Sequence, residues 1–281
     1  MVFWATYNDR SMNTSSVITA SELGKSYGNT HALRGVSLDV REGESLAIMG
    51  PSGSGKTTLL HALAGMISTD HGHVQLGATA HTQQTDITAL NESGRTRLRR
   101  EVFGFVFQQG LLLPELTAVE NVAMAAMLKG ARRPQATAMA GDWLNRLGLA
   151  EHSSKLIGQL SGGQAQRVAI ARAQVTDPAL VFADEPTGAL DSQTGAEVLH
   201  TLLSTTTGRG RTLIMVTHDE NVAATCTRTV RLRDGQIVSD TAPPSTSAIP
   251  HNGPATTSAQ VPHQPQNHPA PTTFYSAHQS F

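Results

Sequence analysis

The 281-residue sequence has a single cysteine, Cys226. It can close no internal disulfide, and no Cys/His cluster has the spacing of a zinc site. Cys226 is expected as a small, buried or half-buried side chain. No apolar run approaches 18 residues, which excludes a membrane-spanning helix. Neither sign of charge is in excess: 21 basic residues face 22 acidic ones, a formal net charge of -1. Bulk attraction to nucleic acid or to anionic lipid is thereby excluded. Residues Met1 to Ser16 have no basic stretch followed by an apolar one, so they do not read as a signal peptide. The chain is expected in the cytoplasm, or tethered to a membrane by something else. Residues 241–281 lack Asp, Glu, Lys and Arg altogether, yet hold eight of the thirteen prolines.

What remains, about 17–240, is long enough for one well-cored domain. Residues 1–16 read as a flexible start. Residues 241–281, rich in Pro, Ser, Thr, His and Gln, read as a disordered tail that cannot bury enough surface to order itself. Its four histidines are irregularly spaced and do not read as a metal site. Val17 to Ile48 reads as strands, with a turn at Glu42-Gly43. A helix follows from about Gly55. Residues 77–100 are polar, and Val102 to Phe107 is strand-like. Val119 to Leu149 is helical, broken near Gly130 and Pro134, and Ser161 caps a further helix. Leu180 to Ala183 and Leu213 to Val216 are short apolar strands. Glu197 to Leu203 has helical spacing, and Val230 to Val238 is a hairpin turning at Asp234-Gly235. Short apolar strands alternating with helices predict an α/β fold with a largely parallel sheet. The mostly helical stretch at about 90–164 reads as an insertion.

Three segments carry chemistry. Gly50-Pro51-Ser52-Gly53-Ser54-Gly55-Lys56-Thr57 follows an apolar strand and opens a helix, which is the phosphate-cradling P-loop pattern in its confirming context. The glycines let backbone N–H groups turn inward around a polyphosphate at a helix N-terminus. Lys56 would reach the β- and γ-phosphates and Thr57 would ligate Mg²⁺, with Thr58 next in the helix. The buried strand Leu180 to Ala183 ends in Asp184 and Glu185. A strand tip beside a P-loop supplies the second Mg²⁺ contact, a role for Asp184, and Glu185 could act as general base on an attacking water. Ser161-Gly162-Gly163-Gln164 precedes a helix with a capping serine and unobstructed backbone N–H groups, fit for an anion.

Together these segments resemble the ATP-binding-cassette ATPases over about 17–240. The resemblance implies a P-loop NTPase (RecA-like) core with an antiparallel β subdomain and an inserted α-helical subdomain. It implies ATP and Mg²⁺, and it places further residues. Tyr27 resembles the aromatic that stacks on adenine. Gln108 resembles the glutamine that senses Mg²⁺ and the γ-phosphate, with Gln109 the second candidate. Asp191 resembles the loop that communicates between subunits, and His218 the switch histidine. Ala165 and Gln174 depart from the usual pattern, where a larger polar residue and Leu are common.

In such proteins the Gly50–Thr57 loop of one subunit faces the Ser161–Gln164 segment of another, with two ATPs between them. The resemblance thus implies a homodimer, or pairing with a paralogous ATPase. Closure must push on a separate transmembrane permease, so the chain would sit on the inner face of the cell membrane and touch it only through that permease. No nucleic-acid partner is implied. The segments Phe103-Gly-Phe-Val-Phe-Gln108, Leu111 to Val122 and Asp184 to Ser192 are similar to the branch serving lipoprotein release, macrolide export and antimicrobial-peptide resistance. Cell-division ATPases of that branch look alike, so a signalling ATPase that activates a cell-wall enzyme stays open as the alternative. The helical insertion after Gln108, where Leu111 to Val122 lies, is the expected docking surface. Removing residues 241–281 is expected to leave turnover and melting temperature nearly unchanged. A large loss of either would mean that the tail is ordered or regulatory.

Overall fold

The computed structural model describes residues 15–108 and 110–241. The expected disordered tail beyond Thr241, most of the expected flexible start, and Gln109 lie outside the described residues. Ser16 already opens a strand, and Thr241 still pairs with Thr229, its N–H donating to the Thr229 carbonyl at 3.0 Å.

A six-stranded sheet forms the centre. Its strands are β3 (Ser45–Met49), β6 (Phe103–Phe107), β7 (Leu180–Asp184), β8 (Thr212–Val216), β9 (Arg228–Arg233) and β10 (Gln236–Asp240), in the order β10-β9-β3-β8-β7-β6. All neighbours are parallel except the terminal β9–β10 hairpin. Strands β3 and β8 are buried at every position, as expected for parallel strands covered on both faces. Successive side chains therefore go to opposite layers. Leu180, Phe182, Ile214 and Val216 join α1 (Lys56–Leu63) and the four-stranded antiparallel sheet in one core. Val181, Ala183, Leu213 and Met215 join the helices of the other side in a second core. The antiparallel sheet runs β2-β1-β4-β5, from β1 (Ser16–Tyr27), β2 (Thr30–Arg41), β4 (His71–Leu76) and β5 (Thr85–Asp86).

The polar stretch 77–100 hides a helix, α2 (Glu92–Glu101). It buries only Leu98, so no apolar stripe betrays it. It is held instead by Asn91, whose side chain accepts from the Gly94 N–H, and by ion pairs such as Arg97–Glu101 at 2.9 Å. Strand β6 is the edge of the main sheet, so the part of 90–164 that leaves the sheet begins after Phe107. It comprises α3 (Ala118–Leu128), α4 (Arg133–Arg146) and two 3₁₀ turns. Thr117 and Glu120 form a reciprocal capping box on α3, and Pro134 lies in the first turn of α4, where its missing N–H costs nothing. The chain returns through α5 (Gly162–Gln174). The unusual Gln174 is fully buried and donates to the equally buried Thr206 at 2.7 Å, fastening α5 to the end of α6 (Ser192–Thr205). A last short helix, α7 (Glu220–Ala223), follows β8. Cys226 is half-buried, as expected, and burial pushes its thiol up to about 11.

Candidate active site

The loop from Gly50 to Gly55 joins β3 to α1 at the carboxyl edge of the sheet. Two backbone carbonyls press on it. A Cβ on Gly50 would stand 2.2 Å from the Leu232 carbonyl, and one on Gly55 would stand 2.3 Å from that of Ala32. Both glycines also have positive φ, +148° and +100°, so only glycine fits at either position. Gly55 caps α1 and has no side chain to occupy the first N–H groups, which stay available to an anion. Lys56 is 8 % exposed, and its ammonium folds over the loop to donate to the Pro51 carbonyl at 2.8 Å. The Ser54 hydroxyl is buried without a protein partner. A cradle of inward donors, a buried cation and an orphaned hydroxyl fit a polyphosphate.

Strand β7 delivers the two carboxylates. Asp184 accepts from the Thr57 hydroxyl at 3.3 Å. Burial raises the Asp184 carboxyl above its usual range, against the lowering pull of His61 and Thr57. A desolvated carboxylate beside a hydroxyl is a donor set that gains from a hard divalent cation, so Mg²⁺ fits here. Glu185 takes φ +45°, rare outside glycine, and its N–H donates to the Val216 carbonyl at 3.0 Å. That twist aims its side chain across to β8's end, where His218 Nδ1 and Glu185 Oε1 are 3.1 Å apart. Gln108 converges on the same place. Its Nε2 and Glu185 Oε2 lie 3.0 and 3.2 Å from where a Cβ on Gly188 would stand.

A cleft of about 820 Å³ is lined by Gly50 to Gly53, Gly55 to Thr58, Glu185 and His218. Thr30, Ala32, Met49, Glu220 and Arg231 line it too. Sequence reasoning missed these five, because nothing in their residue types or spacing marks them. The other expected residues stand outside the cleft. Tyr27 ends β1, 53 % exposed, with the Lys25 ammonium 5.5 Å from its ring centre. Ser161 and Gln164 satisfy each other as a capping box at the start of α5. Gly163 has no room for a side chain, since a Cβ would meet Thr194 at 2.3 Å. Asp191 caps α6, accepting from the Thr194 N–H at 3.0 Å, which holds its carboxyl below the usual range.

The loop after Gln108 is fastened by groups the sequence did not flag. Gln166 donates to the Phe107 carbonyl at 2.9 Å, and Arg172 donates to the Gly110 and Leu111 carbonyls at 2.6 Å each. The buried Asn121 amide donates to the Leu113, Leu116 and Thr117 carbonyls. Beside this loop runs a groove of about 520 Å³ with Phe103, Phe105 and Phe107 in its wall. Leu111 and Leu128 stand at it, 60 % and 63 % exposed.

Residues 33–188 match the family model described as ABC transporter. The chain is 44 % identical over 230 residues to the lipoprotein-releasing system ATP-binding protein LolD of Geobacter metallireducens, covering 80 % of the chain and all of that relative. It is 46 % identical over 214 residues to the macrolide export ATP-binding/permease protein MacB of Nitrobacter winogradskyi, covering 76 % of the chain but 32 % of the relative. The chain thus spans about a third of that longer protein. Its fold matches the dimeric post-hydrolysis state of an ATP-binding cassette bound to ADP and Pi, with TM-score 0.72 and 36 % identity over 79 % of the chain and 97 % of that structure.

Proposed function

Because the chain belongs to the ABC transporter family, we propose that it is the ATP-hydrolysing subunit that drives a separate permease, as a dimer closing around two Mg-ATP. One observation carries this reading. A single chain places its P-loop, Glu185 and His218 on one cleft and leaves Ser161 to Gln164 outside it. The site is half of something, and a second copy supplies the other half. The LolD and MacB relatives are named for lipoprotein release and macrolide export, which favours transport over signalling and an exporting or force-transmitting machine. The chain would work on the inner face of the cell membrane, bound there through the permease.

The roles follow from the chemistry. The N–H groups of Gly53 to Thr58 and the Lys56 ammonium would bind the phosphates, and Tyr27 would offer a face to the base. Thr57 and Asp184, together with Gln108, would hold Mg²⁺, which offsets charge on the phosphate oxygens. Glu185 is the base for the attacking water, and His218, 3.1 Å from it, orients that carboxylate. Asp191 and Ser161 to Gln164 would act on the partner's nucleotide.

The Phe103–Leu128 groove is the seat for the permease. Two leucines that exposed at an apolar groove are a patch awaiting a partner. Reconstituted with its permease, the chain should hydrolyse ATP faster than alone, and a permease that leaves turnover unchanged would count against the reading. Leu111→Glu with Leu128→Glu should abolish both copurification of the permease and its stimulation of turnover, while the isolated chain still binds ATP. Undiminished copurification would move the docking surface elsewhere.

A further inference from the structure

His218 sits on a segment with little to hold it. Helix α7 has four residues, of which only Ala223 is buried, too few to be stable by themselves. The bonds around the histidine are mostly local: the Asp219 N–H donates to Thr217 Oγ1 at 3.1 Å, and the Asp219 carboxylate accepts from the Asn221 N–H at 2.7 Å. The Thr217 N–H reaches the Ile48 carbonyl at 3.2 Å, but on the near side of His218. Beyond the histidine, a forked side-chain tie leaves the segment. Arg231 Nη1 and Nη2 donate to Glu220 Oε1 and Oε2 at 2.7 and 2.6 Å.

Arg231 lies in β9 directly opposite Met49, the residue before Gly50. Its neighbour Leu232 presents the carbonyl that presses on Gly50. One short piece of β9 therefore touches the start of the phosphate loop and holds the segment carrying His218. Both side chains of the pair line the nucleotide cleft.

We propose that the Glu220–Arg231 pair is the positioning element of the His218 loop, fixing where the imidazole stands against Glu185. A one-pronged ion pair this exposed would contribute little. The two-pronged fork also fixes direction, and direction is what a histidine serving a carboxylate needs. The inference rests on the reading of His218 and Glu185 as partners in hydrolysis.

The test is a double-mutant cycle on the full chain: Glu220→Gln, Arg231→Gln and both together. Steady-state Mg-ATP hydrolysis is read with the NMR resonance of the His218 ring, assigned by its loss in His218→Ala. Each single change should lower kcat about three- to tenfold and leave KM for ATP within about twofold, because geometry and not binding is lost. The double change should be no worse than the worse single one, and the His218 resonance should move in all three. Additive losses, a loss carried by KM, or an unmoved kcat and resonance would each overturn the proposal. If the chain hydrolyses no ATP at all, the hydrolysis reading fails by itself, and the His218 resonance still decides the positioning.

Discussion

Glu185→Gln should stop turnover, leave ATP bound and trap a dimer. Glutamine keeps the length and shape of glutamate, so it can hold the same φ +45° position at the end of β7 and the same contact with His218. What it loses is the capacity to take a proton. A positioned base contributes about 10²- to 10⁴-fold, and kcat should fall by that much. The Lys56 cradle and the Thr57–Asp184 pair are untouched, so affinity for Mg-ATP should stay within a few-fold of the parent. With the terminal phosphate never cleaved, the contacts that favour the closed dimer persist. Size-exclusion chromatography with light scattering should report a monomer without nucleotide and a dimer with Mg-ATP. Unimpaired hydrolysis would remove Glu185 from its role, and absence of any ATP binding would sink the assignment of the whole cleft.

Lys56→Ala should act at the other end of the same cycle. The ammonium is buried and bonds to the Pro51 carbonyl. On the proposed reading, it would exchange that neutral acceptor for phosphate oxygens when ATP binds. Hydrogen bonds to charged groups contribute about 1.5–3 kcal/mol, so the dissociation constant for ATP should rise about 10- to 100-fold. Calorimetry or a fluorescent nucleotide would measure it. The melting temperature of the nucleotide-free protein should shift only slightly, which separates lost binding from lost folding. An unaltered ATP affinity would mean that the phosphates do not lie where the loop's N–H groups point.

The proposed phosphate loop, Gly50 to Thr57, was legible in the sequence because that chemistry needs glycine and lysine at fixed spacing. The continuous apolar strands β3, β7 and β8 were legible for a similar reason: burial on both faces leaves no polar position to blur the pattern. Helix α2 was not, since it buries one residue and lives on a cap and ion pairs. Strand β4 was missed because its apolar residues, Val74 and Leu76, come only at its end. Helix α6 starts six residues before Val198 opens its apolar stripe, where Asp191 caps it. Arg172 and Gln166 could not be read as holders of the Gln108 loop. Their acceptors are backbone carbonyls about sixty residues away in sequence, and a carbonyl leaves no mark on the residue type that bears it. Glu220 and Arg231 escaped for the same kind of reason, since charged residues at exposed positions are common.

The carbonyls of Ala32 and Leu232 that shape the phosphate loop have an evolutionary consequence. Every amino acid carries a carbonyl, so the walls of the mould are indifferent to mutation of the side chains that bear them. The cast is not: Gly50 and Gly55 admit no other residue. Drift can therefore rewrite the half-exposed side chain at position 32 while the atoms that shape catalysis stay in place. A constraint that admits no substitution thus falls on two residues with no side-chain chemistry of their own.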